Sequence, residues 1–377
     1  EIMKRKLKII FHHPLPIGAN NKSASGIRPQ KMLRAFQELG HEVEVVGGYA
    51  IERKKKIKEI KKKIAAGKRY DLAYAESSTM PTSLSDPSHL PWHPFLDLSL
   101  FQTLSRSQVP IGLFYRDIYW RFDNYGKKVK GVKNMLAKAF YWWDLLQYRK
   151  FVTILYLPST RMAAYIPLVP AKRTQELPPG LTASEAESVA ASNIPSDRPL
   201  RLLYIGGVSE HYELHELFRV VRSRQDVFLT ICTREQEWRN KESEYLPDSS
   251  PNVKIVHKDA DQIEVLYQEA DLTLLFVEPR EYWDFAMPFK LFEYIGHRKP
   301  VIASEGTAAG DFVNENKVGW TIPYKADALN KLISRIEGNR QLIKVADDNC
   351  ARILPDHTWE ARAQKVIQDC LERSEQV

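Results

Sequence analysis

The chain has 377 residues, more than one hydrophobic core usually serves, so we expect two globular domains. Its formal net charge of +8 favours anionic partners such as nucleotides or phospholipid headgroups. Cys232, Cys350 and Cys370 lack the spacing of a zinc site or a disulfide framework, which fits a reducing compartment. No apolar run approaches the ~20 residues of a membrane-spanning helix, and no signal peptide is recognised, so we expect a cytoplasmic protein.

The first part of the chain alternates apolar strands with helices. Leu7–His13 is an isoleucine-rich apolar run that predicts a buried parallel strand. A turn-rich segment follows, then a helix that ends at Gly40 and a second strand at Val43–Val46. The next predicted elements are a lysine-rich helix at 52–66, a strand in YDLAYAES, a helix near 98–105, a strand in PIGLFYRD and a long helix from about 131 to 148.

A segment rich in proline, serine and alanine, at 178–199, then interrupts this alternation and is interpreted as an interdomain linker. Strands in LRLLYIGG, VFLTICT, VKIVHK, LTLLFVE, PVIAS and GWTIPY follow, separated by helical segments. The pattern predicts an α/β protein with two Rossmann-like, doubly wound domains facing a central cleft. We expect an N-terminal domain at 1–180, a linker at 181–199 and a second domain at 200–356, with a C-terminal helix at 357–377 that could pack back on the first domain.

The segment FAMPFKLFEYIGHRKPVIAS contains the first candidate site. Lys290 and Glu293 are three residues apart and therefore share one helix face, and Pro288 suits an early helical position. A phosphate could bind the free backbone N–H groups and Lys290, while the Glu293 carboxylate could accept bonds from two ribose hydroxyls. The alternative is an ordinary surface ion pair.

The same segment, followed by GDFVNENKVGWTI, resembles the donor-binding signature of GT-B glycosyltransferases of the bacterial group 1, or family 4, type. Their pattern is Pro-x-Lys-x-x-Glu-Tyr, then a Lys-Pro-Val-Ile strand and a glycine after a short turn. LKIIFHHPLP, YIGGVSEHYELHELF and HTWEARAQKVI are similar to further parts of these enzymes, in the same order. The resemblance implies a nucleotide diphosphate sugar in the cleft, with Glu293 on the ribose, Lys290 at the diphosphate, and Phe289 and Tyr294 in the donor site.

Turns after other strands of the second domain supply further donor-side candidates. Gly207 allows close backbone approach, and Thr233 and Arg234 follow VFLTIC, where Arg234 could neutralise a departing diphosphate. Glu278 and Arg280 are lesser candidates, and simple turn formation or surface charge explains these residues equally well. No acids, histidines or cysteines show metal-ligand spacing, so we expect no metal and no cofactor other than the nucleotide-sugar substrate.

One position departs from the retaining members of the family, which carry a second glutamate eight residues before the first. Here that position is Phe285, and Asp284 is one residue away, so retaining and inverting outcomes both stay open. An inverting transfer needs a general base on the acceptor side. Asp117, beside Arg116 after a predicted strand, is the candidate base; alternatively it pairs with an arginine or caps the next turn.

Residues after the first strand compete for roles on the acceptor side. His12 and His13 are alternative bases, although a histidine in such a loop is more often simply hydrogen-bonded. In NKSASGIRPQ, Gly26 allows close backbone approach to a ligand and Arg28 could add positive charge to a bound diphosphate. Turn formation alone explains this glycine equally well.

Two basic stretches concern larger partners. IERKKKIKEIKKKIAAGKR has isoleucines at nearly helical spacing and is best explained as an amphipathic helix that covers the sheet. KKVKGVKNMLAKAFYWWDLLQYRK combines lysines with four consecutive aromatic residues and favours contact with an anionic membrane or an acceptor. Neither carries a nucleic-acid-binding motif, so we expect no nucleic acid partner.

Together these features predict a metal-independent glycosyltransferase that moves a sugar, from a UDP-sugar in the first instance, to a glycan or lipid-linked acceptor in polysaccharide or glycoconjugate synthesis. It would work in the cytoplasm, at the inner face of the membrane. Two alternatives stay open: a sugar-nucleotide epimerase of the same fold, and a scaffold protein that binds a nucleotide without catalysis.

Overall fold

The computed structural model describes residues 5–18, 24–123, 125, 131–182, 189, 191, 194–195, 197–210, 212–259 and 262–374. Part of the expected linker at 181–199 lies outside the described residues. The chain divides into two compact units. Unit 1 comprises residues 1–179 and 359–377, and unit 2 comprises residues 180–358.

Unit 1 contains a parallel six-stranded sheet in the order β2-β1-β3-β4-β5-β6. The strands β3, β4 and β5 are buried along their whole length, as expected for central strands of a parallel sheet. The edge strands β2 and β6 are only partly buried. The strands are β1 (Lys8–His13), β2 (Glu42–Gly47), β3 (Leu72–Glu76), β4 (Ile111–Phe114), β5 (Ile154–Leu157) and β6 (Thr174–Glu176).

The helices of unit 1 cover this sheet. Their bounds are α1 (Ala24–Glu38), α2 (Ala50–Ala65), α3 (Leu96–Arg106), α4 (Val132–Phe151) and α13 (Trp359–Ser374), with short 3-10 helices at Thr82–Leu84, Tyr119–Arg121, Thr160–Tyr165 and Ala171–Arg173. The lysine-rich helix α2 buries Ile57 and Ile60 and leaves most of its lysines exposed, so it is an amphipathic cover of the sheet. The C-terminal helix α13 packs against α1.

Unit 2 contains a second parallel six-stranded sheet, in the order β12-β11-β10-β7-β8-β9. The first strand of unit 2, β7, therefore lies in the middle of the sheet, between β10 and β8. This is the strand order of a doubly wound nucleotide-binding domain. The strands are β7 (Leu200–Ile205), β8 (Val227–Cys232), β9 (Val253–Val256), β10 (Leu272–Leu275), β11 (Val301–Ser304) and β12 (Gly319–Ile322).

The helices of unit 2 connect these strands. They are α5 (His215–Arg222), α6 (Glu235–Tyr245), α7 (Glu264–Glu269), α8 (Glu281–Phe285), α9 (Phe289–Gly296), α10 (Ala308–Asn316), α11 (Ala326–Gly338) and α12 (Gln341–Ile353), with 3-10 helices at Leu246–Asp248 and Leu354–His357. One face of α9 belongs to a core shared with β11 and α12. The expected fold class, α/β with two Rossmann-like sheets, is confirmed.

Several elements of the structure are absent from our sequence interpretation: the strands β5 and β6 and the helices α6, α8, α10, α11 and α12. The strand β5 follows α4 after only two residues, and a four-residue apolar run next to a helix cannot be distinguished from its last turn by periodicity. The helix α6 is mostly polar on its surface, so it shows little apolar periodicity.

Candidate functional site

The strand order of unit 2 fixes where a ligand would bind in that unit. The order of connection reverses between β7 and β10, and in open α/β sheets ligands bind outside the carboxyl ends of the strands at such a point. Gly206 and Gly207 directly follow β7, and Glu278 and Arg280 follow β10. The sheet therefore brings together two turns that are remote in sequence.

The helix α9 carries the central pair of candidates. Pro288 occupies its N-cap position, and the side chains of Lys290 and Glu293 form an ion pair across one turn. The hydroxyl of Tyr267 donates a hydrogen bond to Glu293 Oε2 at 3.3 Å. The two side chains keep 29% and 40% of their surface exposed. Such a pair contributes little to stability and can open at small cost when a ligand competes for its partners.

Tyr294, the next residue on α9, points the other way. It is fully buried, and its hydroxyl accepts a hydrogen bond from the backbone N–H of Ile205 at 2.9 Å. Burial raises the pKa of this phenol well above its ordinary value. Direct contact between the Tyr294 side chain and a donor is therefore not supported; the residue instead attaches α9 to the end of β7. Phe289, the first residue of the helix, is half-buried.

The turn after β7 is closely packed. The hydroxyl of Tyr204 donates a bond to the carbonyl oxygen of Gly207 at 2.7 Å, and a Cβ at Gly207 would lie 2.9 Å from Glu237 Oε2. Only glycine fits there without displacing that carboxylate. Glu237 also accepts a bond from the backbone N–H of Val208 at 3.3 Å. Sequence reasoning missed Glu237, which lies in the unpredicted helix α6 and 29 residues away from its bonding partner in the chain.

Thr233 and Arg234 occupy the turn after β8, next to this glutamate. Thr233 is buried, and its hydroxyl has no hydrogen-bond partner within the described residues. Arg234 is 86% exposed and lies 3.3 Å from Glu237 Oε1. Its guanidinium is therefore accessible to an anion, and its present ion pair contributes little.

Two further acids surround Arg280 at the end of β10. The guanidinium lies 3.0 Å from Glu213 Oε1 and 3.1 Å from Glu278 Oε2. Burial raises the pKa of the Glu213 carboxyl, and the neighbouring Glu278 adds to the shift. Glu213 has no signal in the sequence, because only the fold brings it close to residues 278–280.

In unit 1, Asp117 lies just after β4. Its Oδ1 accepts a hydrogen bond from the backbone N–H of Tyr119 at 2.7 Å, so the carboxylate caps the turn that follows. Burial raises the pKa of Asp117 above its ordinary value. A carboxylate with a raised pKa is a stronger base, so capping and a catalytic role are compatible at this residue.

The two histidines at the end of β1 are both buried. His13 Nδ1 lies 3.0 Å from the carbonyl oxygen of Glu76, and burial lowers the pKa of this imidazole to about 3. His12 Nε2 lies 2.6 Å from Asp97 Oδ1, a carboxylate that Arg53 also contacts at 3.0 Å. Both rings therefore take part in internal hydrogen bonds, which is the simpler of the two expectations for them.

Arg28 is buried, with only 1% of its surface exposed. Its guanidinium lies 3.3 Å from Glu76 Oε1, donates a bond to the carbonyl oxygen of Leu177 at 2.9 Å and stacks 3.5 Å from the centre of the Phe114 ring. Arg116 Nη2 lies 4.0 Å from the same glutamate. Direct contact of Arg28 with a diphosphate is therefore not supported here. Gly26 lies in the first turn of α1.

With this geometry in place, residues 199–339 match the model of the family described as glycosyl transferases group 1. This segment is similar to group 1 glycosyltransferases. The match lies inside unit 2 and includes β7 to β12 together with α9. It confirms the expected resemblance and the expectation of a glycosyltransferase.

Several solved structures share the fold over nearly the whole chain. HepE from Anabaena, in complex with UDP, aligns with a TM-score of 0.62 and 12% identity, over 96% of this chain and 99% of that one. A glycosyltransferase from Rickettsia africae gives 0.63 and 14%, over 97% and 98%. Sucrose-phosphate synthase from Thermosynechococcus elongatus gives 0.59 and 15%, over 96% and 98%. No curated protein matches significantly.

The position at which retaining family members carry an additional glutamate has no acid in this glycosyltransferase. Phe285 is fully buried in unit 2, and Asp284 beside it is half-buried. No group of three or more acids, histidines or cysteines in the described part of the chain could hold a metal ion. Whether transfer needs a metal stays a prediction.

Proposed function

We propose that this glycosyltransferase transfers a sugar from a UDP-sugar to a glycan or lipid-linked acceptor in polysaccharide or glycoconjugate synthesis. The observation that carries the proposal is the half-exposed pair of Lys290 and Glu293. It lies at the start of α9 within the family-matched segment, and Tyr294 attaches this helix to the end of β7. This is the edge of the sheet at which nucleotides bind in doubly wound domains.

Donor binding would open the ion pair. The Glu293 carboxylate would accept bonds from the two ribose hydroxyls, and Lys290 would turn to the diphosphate. The exposed guanidinium of Arg234 and the first backbone N–H groups of α9 would add positive potential on the leaving diphosphate. These groups could stabilise the leaving group without a metal ion. UDP is the favoured nucleotide because HepE, which shares the fold, was solved with UDP and with UDP-glucose.

We assign the transfer an inverting mechanism with Asp117 as general base. The carboxylate would take the proton of the acceptor hydroxyl while the hydroxyl oxygen attacks the anomeric carbon. The bond from that carbon to the β-phosphate oxygen would break, and UDP would leave with the electron pair. The buried phenylalanine at position 285 supports this choice, because it offers no second acid at the donor sugar.

Contact with an anionic membrane at its cytoplasmic face is part of the proposal. The excess of basic residues supports an anionic partner, and the three cysteines are free and buried, which suits a reducing compartment. No helix in the described residues has the length and apolar character needed to cross a bilayer.

The test is a thermal-shift panel of UDP, GDP, ADP and CDP. UDP at one hundred times its dissociation constant should stabilise the protein by about 2.7 kcal/mol, and the other nucleotides by less. Replacing both Lys290 and Glu293 by alanine should abolish the shift. The matched control replaces Lys241 and Glu244, an i,i+3 ion pair of α6, and should keep it.

A shift that survives the Lys290 and Glu293 replacements would refute the assigned site, and no shift with any nucleotide would refute the proposed donor class. Incubation with a UDP-sugar alone separates the remaining activities. Slow release of free sugar supports a transferase, whereas conversion to an isomeric UDP-sugar would indicate the epimerase.

A further inference from the structure

Unit 1 carries an unusual amount of apolar surface on one helix. Along α4, five apolar positions spaced by three and four residues all face solvent, and we call them the apolar stripe: Val132, Met135, Ala139, Trp142 and Leu146. The four larger side chains keep between 39% and 75% of their surface exposed. The opposite face of α4, with Tyr141, Leu145 and Tyr148, packs into the unit. The stripe is therefore not needed to attach the helix.

The loop at 90–95 adds to the stripe. Its side chains Leu90, Trp92 and Phe95 are between 43% and 67% exposed. The ring of Phe95 packs edge-on against Trp143 at 5.7 Å, and the Trp143 indole N–H donates a bond to the carbonyl oxygen of Pro94 at 3.0 Å. These contacts join the loop to α4. The stripe and this loop together, which we call the apolar patch, contain more than half of the exposed large hydrophobic side chains in the described chain.

The exposed charges of α4 itself all have one sign. The helix α4 carries Lys133, Lys138, Arg149 and Lys150, and its one acid, Asp144, is buried. At 100° per residue, Lys138 and Arg149 lie along one side of the stripe and Lys150 at its end. A second copy of the chain would bring equal charges against these residues and offer no acid of α4 in exchange. An anionic partner is favoured instead.

We propose that the apolar patch and its basic flank dock on the surface of an anionic lipid bilayer. A helix with an apolar face, cationic flanks and an exposed tryptophan lies in the plane of the interface, with its apolar side chains among the acyl chains and its cations at the headgroups. This inference deepens the proposed membrane contact by naming the surface and its partner. It does not depend on the donor or on the transfer chemistry.

The test is flotation of the full chain with vesicles. The protein should float with vesicles that mix phosphatidylglycerol and phosphatidylcholine, and far less with phosphatidylcholine alone. Replacing Met135, Trp142 and Leu146 by glutamine should lower the partition coefficient at least tenfold. Reversing the charge of Lys138 and Arg149 should lower it by roughly fivefold or more for each residue.

Matched controls make the same changes elsewhere. Phe228→Gln with Val345→Gln removes exposed apolar side chains of unit 2, and Lys54→Glu with Lys58→Glu reverses charges on α2. Both should retain binding. Equal loss in the controls, or stripe variants that still float, would overturn the proposal. A dimer in light scattering that the stripe variants lose would identify a second copy as the occupant. The UDP thermal shift is measured on the same samples. A missing unfolding transition would show that a variant is unfolded, and a missing UDP shift in a folded protein would count against the donor proposal alone.

Discussion

The carboxyl ends of the two sheets differ in where they keep their charges. In unit 1, His12 at the end of β1 and Glu76 at the end of β3 are buried and paired, His12 with Asp97 and Glu76 with Arg28. In unit 2, Lys290, Glu293 and Arg234 stay partly or largely exposed, in ion pairs that contribute little. Equivalent positions in two similar sheets thus serve different purposes.

This difference teaches that position at a strand end does not by itself identify a binding residue. Buried ion pairs are costly to break and hold loops in place, whereas half-exposed pairs can exchange their partners for a ligand. By this criterion unit 2 has the groups that can respond to a nucleotide. Among the candidate bases of unit 1, Asp117 is the exception, because unlike His12 and His13 it is not completely buried and it accepts its hydrogen bond from its own turn.

The largest effect, on the rate of sugar transfer, is expected from replacing Asp117. Asp117→Asn keeps the cap on Tyr119 but removes the base, so UDP-sugar turnover should fall about 100-fold to 10,000-fold. The UDP thermal shift should be unchanged. Because burial raises the pKa of Asp117, turnover by the native enzyme should fall on acidification at a pH above that of an ordinary aspartate. Asp123→Asn, an exposed acid of the same segment, is the control; equal losses in both variants would remove Asp117 from the mechanism.

A stability measurement tests the contrast between the sheets directly. Arg28→Met leaves Glu76 buried with less compensation and should lower the free energy of unfolding by about 3–5 kcal/mol. Arg234→Met, in the exposed pair, should change it by less than about 0.5 kcal/mol. Urea denaturation of the two variants measures both values. Similar losses in the two would show that the difference in burial has no energetic consequence.

Not every buried charge of unit 1 should stabilise it. Asp144 accepts a bond from the backbone N–H of Thr82 at 2.8 Å, yet burial raises the pKa of its carboxyl to about 7. As pH rises from about 4 to 7, the unfolded chain releases this proton and the folded chain keeps it, so this residue lowers the free energy of unfolding over that range. Asp144→Asn removes the titration.

The stability of Asp144→Asn relative to the native protein should therefore rise by about 2–4 kcal/mol between pH 4 and pH 8. Thermal or urea unfolding at a series of pH values measures this change. Any effect of the new amide that does not depend on pH cancels when the stability differences at pH 4 and pH 8 are compared. Asp97→Asn is the contrasting variant. The pKa of Asp97 is lowered to about 2, chiefly through Arg53 and His12 acting against burial, so its replacement should lose stability already at pH 4. Parallel profiles for the two variants would contradict these assignments.

The sequence predicted the fold class because most strands are clear apolar runs between helices. It also placed Lys290 and Glu293 together, since an i,i+3 spacing fixes a shared face. The inward direction of Tyr294 had a signal that we did not use: Leu291, Phe292, Tyr294 and Ile295 mark the buried face of α9. The burial of Arg28 had no such signal, because its partner Glu76 comes from a strand end 48 residues later and only tertiary structure pairs them.

The smallest expected effect is a loss of UDP affinity that depends on one contact, between Glu293 and the ribose hydroxyls. Glu293→Gln weakens the charge-assisted bonds to the ribose, worth about 1.5–3 kcal/mol, so UDP affinity should fall roughly 10-fold to 100-fold. An analogue without the two ribose hydroxyls, 2′,3′-dideoxy-UDP, should bind the native protein and the variant equally. Calorimetric titration of both proteins with both ligands gives the coupling between Glu293 and these hydroxyls. If Glu293→Gln loses the same affinity for UDP and for the analogue, Glu293 acts through its ion pair with Lys290 and not through the ribose hydroxyls. The half-exposed pair of unit 2 would then be structural, like the buried pairs of unit 1.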